Sequence, residues 1–209
     1  MAAALLFVRH GRTDWNDSRR LQGHHDIDLN EFGRTELAAC RVPAQWDGAS
    51  WCSSPLKRAV HSARLLGGTT LRCDALLSEM DWGEWSGRTL ASLREELGDT
   101  MRDNEARGLD FRADGGESPR DVCQRLQSWL SALPTVSARN NRRPEFDRRY
   151  VVVTHKGMIR AALSLATGWP MLDAFVPRLN WLCGHEFALD DDARFTLTRV
   201  NVPLLRDGS

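Results

Sequence analysis

Short continuous apolar runs along this chain alternate with stretches whose apolar residues recur every three or four positions. The runs Leu5-Leu6-Phe7-Val8 and Tyr150-Val151-Val152-Val153-Thr154 have the length and composition of buried strands. Residues 49–53 and 69–77 read as two weaker strands. Asn30 is placed to cap a helix running to about Cys40. Ser54-Pro55 predicts another, with Leu56, Val60, Ala63 and Leu66 as its apolar face and Gly67-Gly68 as its stop. Residues 90–108 predict one weakly amphipathic helix. Ser118-Pro119-Arg120-Asp121 opens a stronger one, in which Val122, Leu126, Trp129, Leu130 and Leu133 share a face. A last helix is expected over residues 158–167, and a terminal hairpin over 184–189 and 195–200 around Asp190-Asp191-Asp192. Residues 21–29 and the arginine-rich stretch 134–149 read as loops. Strands separated by amphipathic helices predict an α/β fold, a mostly parallel sheet covered on both faces, with antiparallel pairing added by the hairpin.

The strongest strands end in similar chemistry. Val8 runs into Arg9-His10-Gly11 and Thr154 into His155-Lys156-Gly157. In open α/β sheets, ligands sit at the carboxyl ends of the strands. Parallel pairing of these two strands would bring both imidazoles to one edge. A third strand end, Ser53-Ser54-Pro55-Leu56-Lys57-Arg58, adds an arginine in the first turn of its helix. An arginine fork suits phosphate, and a neutral imidazole near pH 7 is a nucleophile. Three strand ends delivering cations and donors to one rim describe a pocket for a phosphoryl group. Transfer from an alcohol also needs a proton for the leaving oxygen. Glu79, Asp81 and Glu84, on a segment rich in glycine and tryptophan, are the candidate acids.

Composition narrows the class. Of 209 residues, 42% are hydrophobic and 27% charged, ordinary for a globular protein. Lys+Arg and Asp+Glu both number 28, so no general nucleic-acid partner is expected. No apolar run approaches the ~20 residues of a membrane span, and the first residues lack a charged leader. Five scattered cysteines without a C-x-x-C pair suit a reducing cytoplasm. His24-His25-Asp26-Ile27-Asp28 resembles a metal cluster, but adjacent side chains point apart and no second cluster completes it, so no metal is expected. His61 reads as a helix-surface residue, and His185 has no evident partner. Trp82 and Trp85 suit either substrate packing or loop anchoring.

RHGRTDWN at residues 9–16, LQG-x-x-D-x-x-L-x-x-x-G from Leu21, SSPLKRA, E-M-D-W-G-x-W-x-G, GGES and V-T-H-K-G-M-I-R occur in that order. Together, from Leu5 to about Arg160, they resemble the histidine phosphatase superfamily, the phosphoglycerate-mutase-like proteins with an RHG motif. The resemblance implies a single domain over residues 1–209, a three-layer α/β/α sandwich with a small helical cap at approximately 88–116. It makes His10 the nucleophile that becomes phosphohistidine and Glu79 the proton donor. Arg9, Arg58 and His155 would hold the phosphoryl oxygens, and Asn16 would contribute a side-chain amide. Gln22 and Gly23 would line the entrance, and Glu117 would be structural or would support the site residues from behind. No metal or other cofactor is implied, and the partner is a small phosphorylated substrate.

Lys156 stands where many relatives have glycine, and Arg12 where glutamate or glutamine is frequent; both make the mouth more cationic. Cofactor-dependent mutases carry a lysine at the position of Leu90, and no adjacent arginine pair occurs over residues 90–116. These absences favour a phosphatase over the main alternative, a phosphoglycerate mutase. A phosphate-binding module without chemistry would require replacement of His10 or Glu79, and both are present. A homodimer is compatible with a sequence that carries no signal for oligomeric state.

Overall fold

The computed structural model describes residues 3–133 and 148–206, so most of the expected arginine-rich loop lies outside them. In chain order the elements are β1 (Ala3–Arg9), α1 (Asp14–Asp17), α2 (Glu31–Ala38), β2 (Cys40–Arg41), β3 (Ser50–Ser53), α3 (Lys57–Leu65), β4 (Leu71–Cys73), α4 (Leu90–Leu97), α5 (Asp99–Glu105), α6 (Pro119–Ser131), β5 (Arg149–Thr154), α7 (Lys156–Thr167), β6 (Cys183–Leu189), β7 (Phe195–Pro203) and β8 (Leu205–Arg206). A six-stranded sheet runs β4-β3-β5-β1-β6-β7. β4, β3, β5 and β1 are parallel; β6 and β7 are antiparallel additions. β2 and β8 form a separate pair that the sequence pattern did not predict.

The sheet is central because its middle strands are apolar on both faces. Leu5 and Phe7 point to one side, with Tyr150 and Val152, and pack against α6 and α7. Leu6, Val8, Val151 and Val153 point to the other and pack against α2 and α3. Leu5, Leu6 and Phe7 are fully buried, as are Val151, Val152 and Val153, at about 1.5–3 kcal/mol for each such side chain. No edge position could retain that burial. The register Arg9↔Thr154 and the bond from His10 N to the Thr154 carbonyl (2.9 Å) end β1 and β5 at one level. Ser54 N donates to the Val153 carbonyl (3.1 Å) and brings the end of β3 to the same place.

Local expectations hold where a cap or an apolar period is strong. Asn30 accepts from Gly33 N (2.9 Å). Ser118 and Asp121 form a reciprocal capping box, and α6 buries the predicted stripe. Four expectations need correction. α3 begins at Lys57 rather than at Ser54-Pro55; Ser54 Oγ instead accepts from Leu56 N (3.3 Å) within the preceding turn. Its buried face is Ala59, Ser62, Ala63 and Leu66, so Leu56 and Val60 are only half-buried. β4 covers only Leu71–Cys73, because Asp74 caps a 3₁₀ turn, Ala75–Leu77. The single helix expected over 90–108 is two, broken at Gly98 with φ 51°, a conformation glycine adopts without steric cost. No helix among the described residues is long and apolar enough to cross a membrane.

Candidate active site

The three strand ends converge as their sequences suggest. The imidazoles of His10 and His155 lie 5.1 Å apart between ring centroids. His10 Nδ1 is 2.7 Å from the Gly11 carbonyl. A carbonyl only accepts, so Nδ1 carries the proton and Nε2 is left with its lone pair. Burial first, then the charges of Arg9 and Arg58, hold His10 well below the ordinary histidine range; the Gly11 hydrogen bond opposes them. His10 is therefore neutral near pH 7.

His155 and Arg58 have no exposed surface. Arg58 Nε donates to His155 Nδ1 (3.3 Å), Nη1 to the His25 carbonyl (2.6 Å) and Nη2 to the Gly23 carbonyl (2.8 Å). That places the His155 proton on Nε2, which donates to Ser54 Oγ (2.8 Å). Burial, then Arg58 and His10, hold His155 well below its usual range as well. Ser62 accepts from Gly11 N (2.9 Å) and donates to the Arg58 carbonyl (2.5 Å), tying the β1 turn to α3. Arg58 and His155 thus form a layer behind His10, and Gly23 is buried with its carbonyl on Arg58.

Two hollows meet at His10, Arg9 and Asn16. One, about 410 Å³, is also lined by Gln22, Glu79, Lys156 and Arg160, with Leu90, Arg94, Glu105 and Phe111 forming its far wall. The other, about 610 Å³, is lined by Arg12, Phe32, Arg178 and Trp181. Asn16 Oδ1 accepts from Thr13 N (3.1 Å) and Thr13 Oγ1 (3.0 Å), which leaves its amide NH2 for the cavity. Gln22 is buried and donates to Thr13 Oγ1 (2.9 Å). Arg9 Nε has no hydrogen-bond partner among the described residues. Lys156 is lowered from the ordinary lysine range by burial and by Arg160 and Arg9. Arg12 pairs with Asp17 and lies over Phe32, 5.1 Å from its ring centroid.

Of the three candidate acids, only Glu79 reaches the cavity. Its Oε1 accepts from Met80 N (2.9 Å) and Gly157 N (3.0 Å). A Cβ on Gly157 would lie 2.3 Å from that oxygen, so the glycine of the second strand end is what lets Glu79 approach. Asp81 turns back to Gly83 N (2.9 Å), and Glu84 is exposed. Arg125 fastens the Glu79 segment by donating to the carbonyls of Leu76 (2.7 Å), Ser78 (2.9 Å) and Glu79 (3.0 Å), and it pairs with Glu117 (2.8 Å). Sequence reading missed Arg125. Its signal was an arginine inside the apolar stripe between Val122 and Trp129. Trp82 lines the cavity, whereas Trp85 is buried against Phe111. His24 Nε2 meets the Glu79 carbonyl (3.0 Å), and His61 is not a bare surface residue, since its Nδ1 meets Asp28 Oδ1 (2.6 Å).

A neutral buried imidazole among arginines, with the Glu79 carboxylate across the cavity, is the arrangement that the motifs implied. A profile of the histidine phosphatase superfamily (branch 1) matches residues 5–203. The chain belongs to the histidine phosphatase superfamily. It is 35% identical over 204 residues to the glucosyl-3-phosphoglycerate phosphatase of Mycobacterium tuberculosis, covering 88% of this chain and 86% of that one. It is 30% identical to the 2,3-bisphosphoglycerate-dependent phosphoglycerate mutase of Methylobacterium radiotolerans, over 86% and 85% of the two chains. A solved structure of a mycobacterial glucosyl-3-phosphoglycerate phosphatase in complex with inorganic phosphate superposes with a TM-score of 0.74 at 26% identity, over 96% of this chain and 98% of that one. The three-layer architecture expected of the superfamily is the one observed.

Proposed function

We propose that this histidine phosphatase is a metal-independent phosphomonoesterase that hydrolyses a small phosphorylated metabolite through a phosphohistidine. The observation that carries the reading is His10, with its proton fixed on Nδ1 and its ring on the cavity shared by Arg9, Asn16 and Glu79. His10 Nε2 attacks phosphorus, an N–P bond forms, and the bond to the leaving oxygen breaks. Glu79 gives that oxygen its proton from Oε2, because Oε1 is taken by two backbone N–H groups. Water then attacks phosphorus and gives its proton to Glu79, the N–P bond breaks with its electron pair returning to His10 Nε2, and inorganic phosphate leaves. Charge spread over the phosphoryl oxygens is met by fixed donors, which provide most of the catalysis. Arg9, Lys156 and the Asn16 amide contact them from the cavity wall. Arg58 and His155 act from behind His10, and Arg58 keeps two of its five N–H groups uncommitted among the described residues.

The segment 88–116 acts as the cap of a single catalytic domain, since Leu90, Arg94, Glu105 and Phe111 wall the hollow on the Glu79 side. The leaving group occupies that hollow. Arg160 there suits a metabolite with a second anionic group, as the glucosyl-3-phosphoglycerate named for the mycobacterial relative would supply. Leu90 in the wall offers no charge where a mutase would carry lysine. The test is hydrolysis of a phosphorylated-metabolite panel in excess chelator, beside a mutase assay primed with bisphosphoglycerate. Release of inorganic phosphate without isomerisation is expected. Activity restored only by a divalent metal, or isomerisation outrunning hydrolysis, would refute the reading.

A further inference from the structure

Arg9 and Lys156 reach the phosphoryl cavity from two strand ends, yet both also meet one aromatic face. The Arg9 guanidinium carbon lies 5.9 Å and Lys156 Nζ 5.3 Å from the ring centroid of Trp181. Trp181 is half-buried and lines the larger hollow. A carboxylate in its place would orient the two cations but neutralise them. An indole attracts them through its quadrupole and leaves their charge available to an anion.

Asn201 ties the loop bearing Trp181 to β7, beside the packing of Leu179 and Trp181 on the core. Opposite His185, β7 carries an extra residue: Gly184 pairs with Val202 and Glu186 with Arg199, leaving Val200 and Asn201 against His185 alone. Asn201 is left-handed there, with φ 56°, a conformation uncommon outside glycine that asparagine adopts more readily than most residues. Bulges of this kind re-aim a side chain beside a site. Asn201 Nδ2 donates to the Arg178 carbonyl (3.0 Å), and its Oδ1 accepts from Asn180 N (2.7 Å). Asn201 N donates to His185 Nδ1 (3.4 Å), and the His185 ring meets Trp181 at 6.0 Å, edge to face.

We propose that Trp181 is a positioning residue, whose indole face orients Arg9 and Lys156 toward the phosphoryl group without neutralising either, and that the Asn201 bulge sets the loop presenting it. The inference rests on the reading of Arg9 and Lys156 as phosphoryl ligands.

The experiment compares Trp181→Leu, Trp181→Phe and Asn201→Gly with wild type, using an aryl phosphate as substrate and inorganic phosphate as competing ligand. Trp181→Leu should raise KM and the phosphate inhibition constant by about fivefold to twentyfold, with a smaller change in kcat and little change in melting temperature. Trp181→Phe keeps an aromatic face and should recover to within about threefold of wild type. Asn201→Gly keeps the backbone angle but loses both loop bonds, and should weaken phosphate in the same direction. In a Lys156→Met background the Trp181→Leu penalty should shrink, because one of the two cations it orients is gone. Phenylalanine as damaging as leucine would mean lost volume rather than a lost face, and strict additivity with Lys156→Met would uncouple the pair; either overturns the proposal. Unchanged phosphate binding in Trp181→Leu, with wild type active, refutes the inference alone. A wild type that neither hydrolyses the ester nor binds phosphate refutes the parent reading and this one together.

Discussion

Replacing Arg58 by lysine keeps the charge and removes the fork, and the structure says what that should cost. Arg58 makes three hydrogen bonds in three directions, to His155, the His25 carbonyl and the Gly23 carbonyl, from a fully buried position. An ammonium on a flexible stem can keep one of them. Losing two charge-assisted bonds at roughly 1.5–3 kcal/mol each gives a destabilisation on the order of 3–6 kcal/mol. For a chain of this size that is a fall in melting temperature of roughly 6–24 °C. Turnover should also fall, by about tenfold or more, because each 1.4 kcal/mol of lost transition-state stabilisation is roughly a factor of ten. Thermal melts and steady-state kinetics at 25 °C, on enzyme shown to be folded, read the two effects separately. Arg58→Met adds an electrostatic control. Arg58 lowers the His10 pKa, so removing its charge should raise that pKa and move the acid limb of kcat/KM to higher pH, whereas Arg58→Lys should leave the limb in place. A lysine variant with unaltered melting and kinetics would refute both the strut and the phosphoryl role.

Glu79→Gln should slow esters of poor alcohol leaving groups far more than aryl phosphates; the same selective defect in Asp81→Asn, with Glu79→Gln normal, would reassign the acid. A phosphoramidate is stable to alkali and labile to acid, so rapid alkaline quenching should trap label on the peptide containing His10, and His10→Ala should abolish it; label on the His155 peptide would exchange the two roles. Acid should unfold the protein early. The pKa of His185 is pushed down to about 4 by burial, and those of His10 and His155 are lowered too. Above about pH 6.5 these rings are neutral folded or unfolded; below it only the unfolded chain takes up protons, so each costs stability at about 1.4 kcal/mol per pH unit until its folded pKa is reached. For His185 the loss is roughly 3 kcal/mol between pH 6.5 and 4. Urea midpoints from pH 7.5 to 5.5 should fall steeply, and less so in His185→Gln; a flat series would contradict the burial of neutral histidines.

Most of the site was legible because its parts are local. Val8-Arg9-His10-Gly11 and Thr154-His155-Lys156-Gly157 each place a polar triplet at the end of an apolar strand, and parallel pairing does the rest. Glu79 was ranked above Asp81 and Glu84 by resemblance alone; the physical reason, approach of its carboxylate to the Gly157 N–H, is a contact between positions far apart in sequence. The α3 start was misread because Ser54 has a competing task, accepting from Leu56 N and His155 Nε2, that propensity does not reveal. Arg125 and Asn201 stayed invisible for the same reason, since each acts through bonds to the backbone of another segment.

Those backbone bonds also explain how so much positive charge is sustained at the carboxyl edge of a sheet. Burying an unpaired cation is expensive, and an ion pair is the usual remedy. Here Arg58 donates to two carbonyls and an imidazole, none of which carries a negative charge. Arg9 and Lys156 share an indole. Glu79, the acid across the cavity, spends one oxygen on backbone N–H groups. The cations are thus solvated by dipoles and a quadrupole, with the Glu79 carboxylate acting on Arg9, Arg58 and Lys156 from across the cavity, at the place where a phosphoryl group would arrive. Burial first, and then these positive charges, keep His10 and His155 neutral. Nucleophile and anion site are therefore one electrostatic device, and neutralising either arginine would be expected to weaken both.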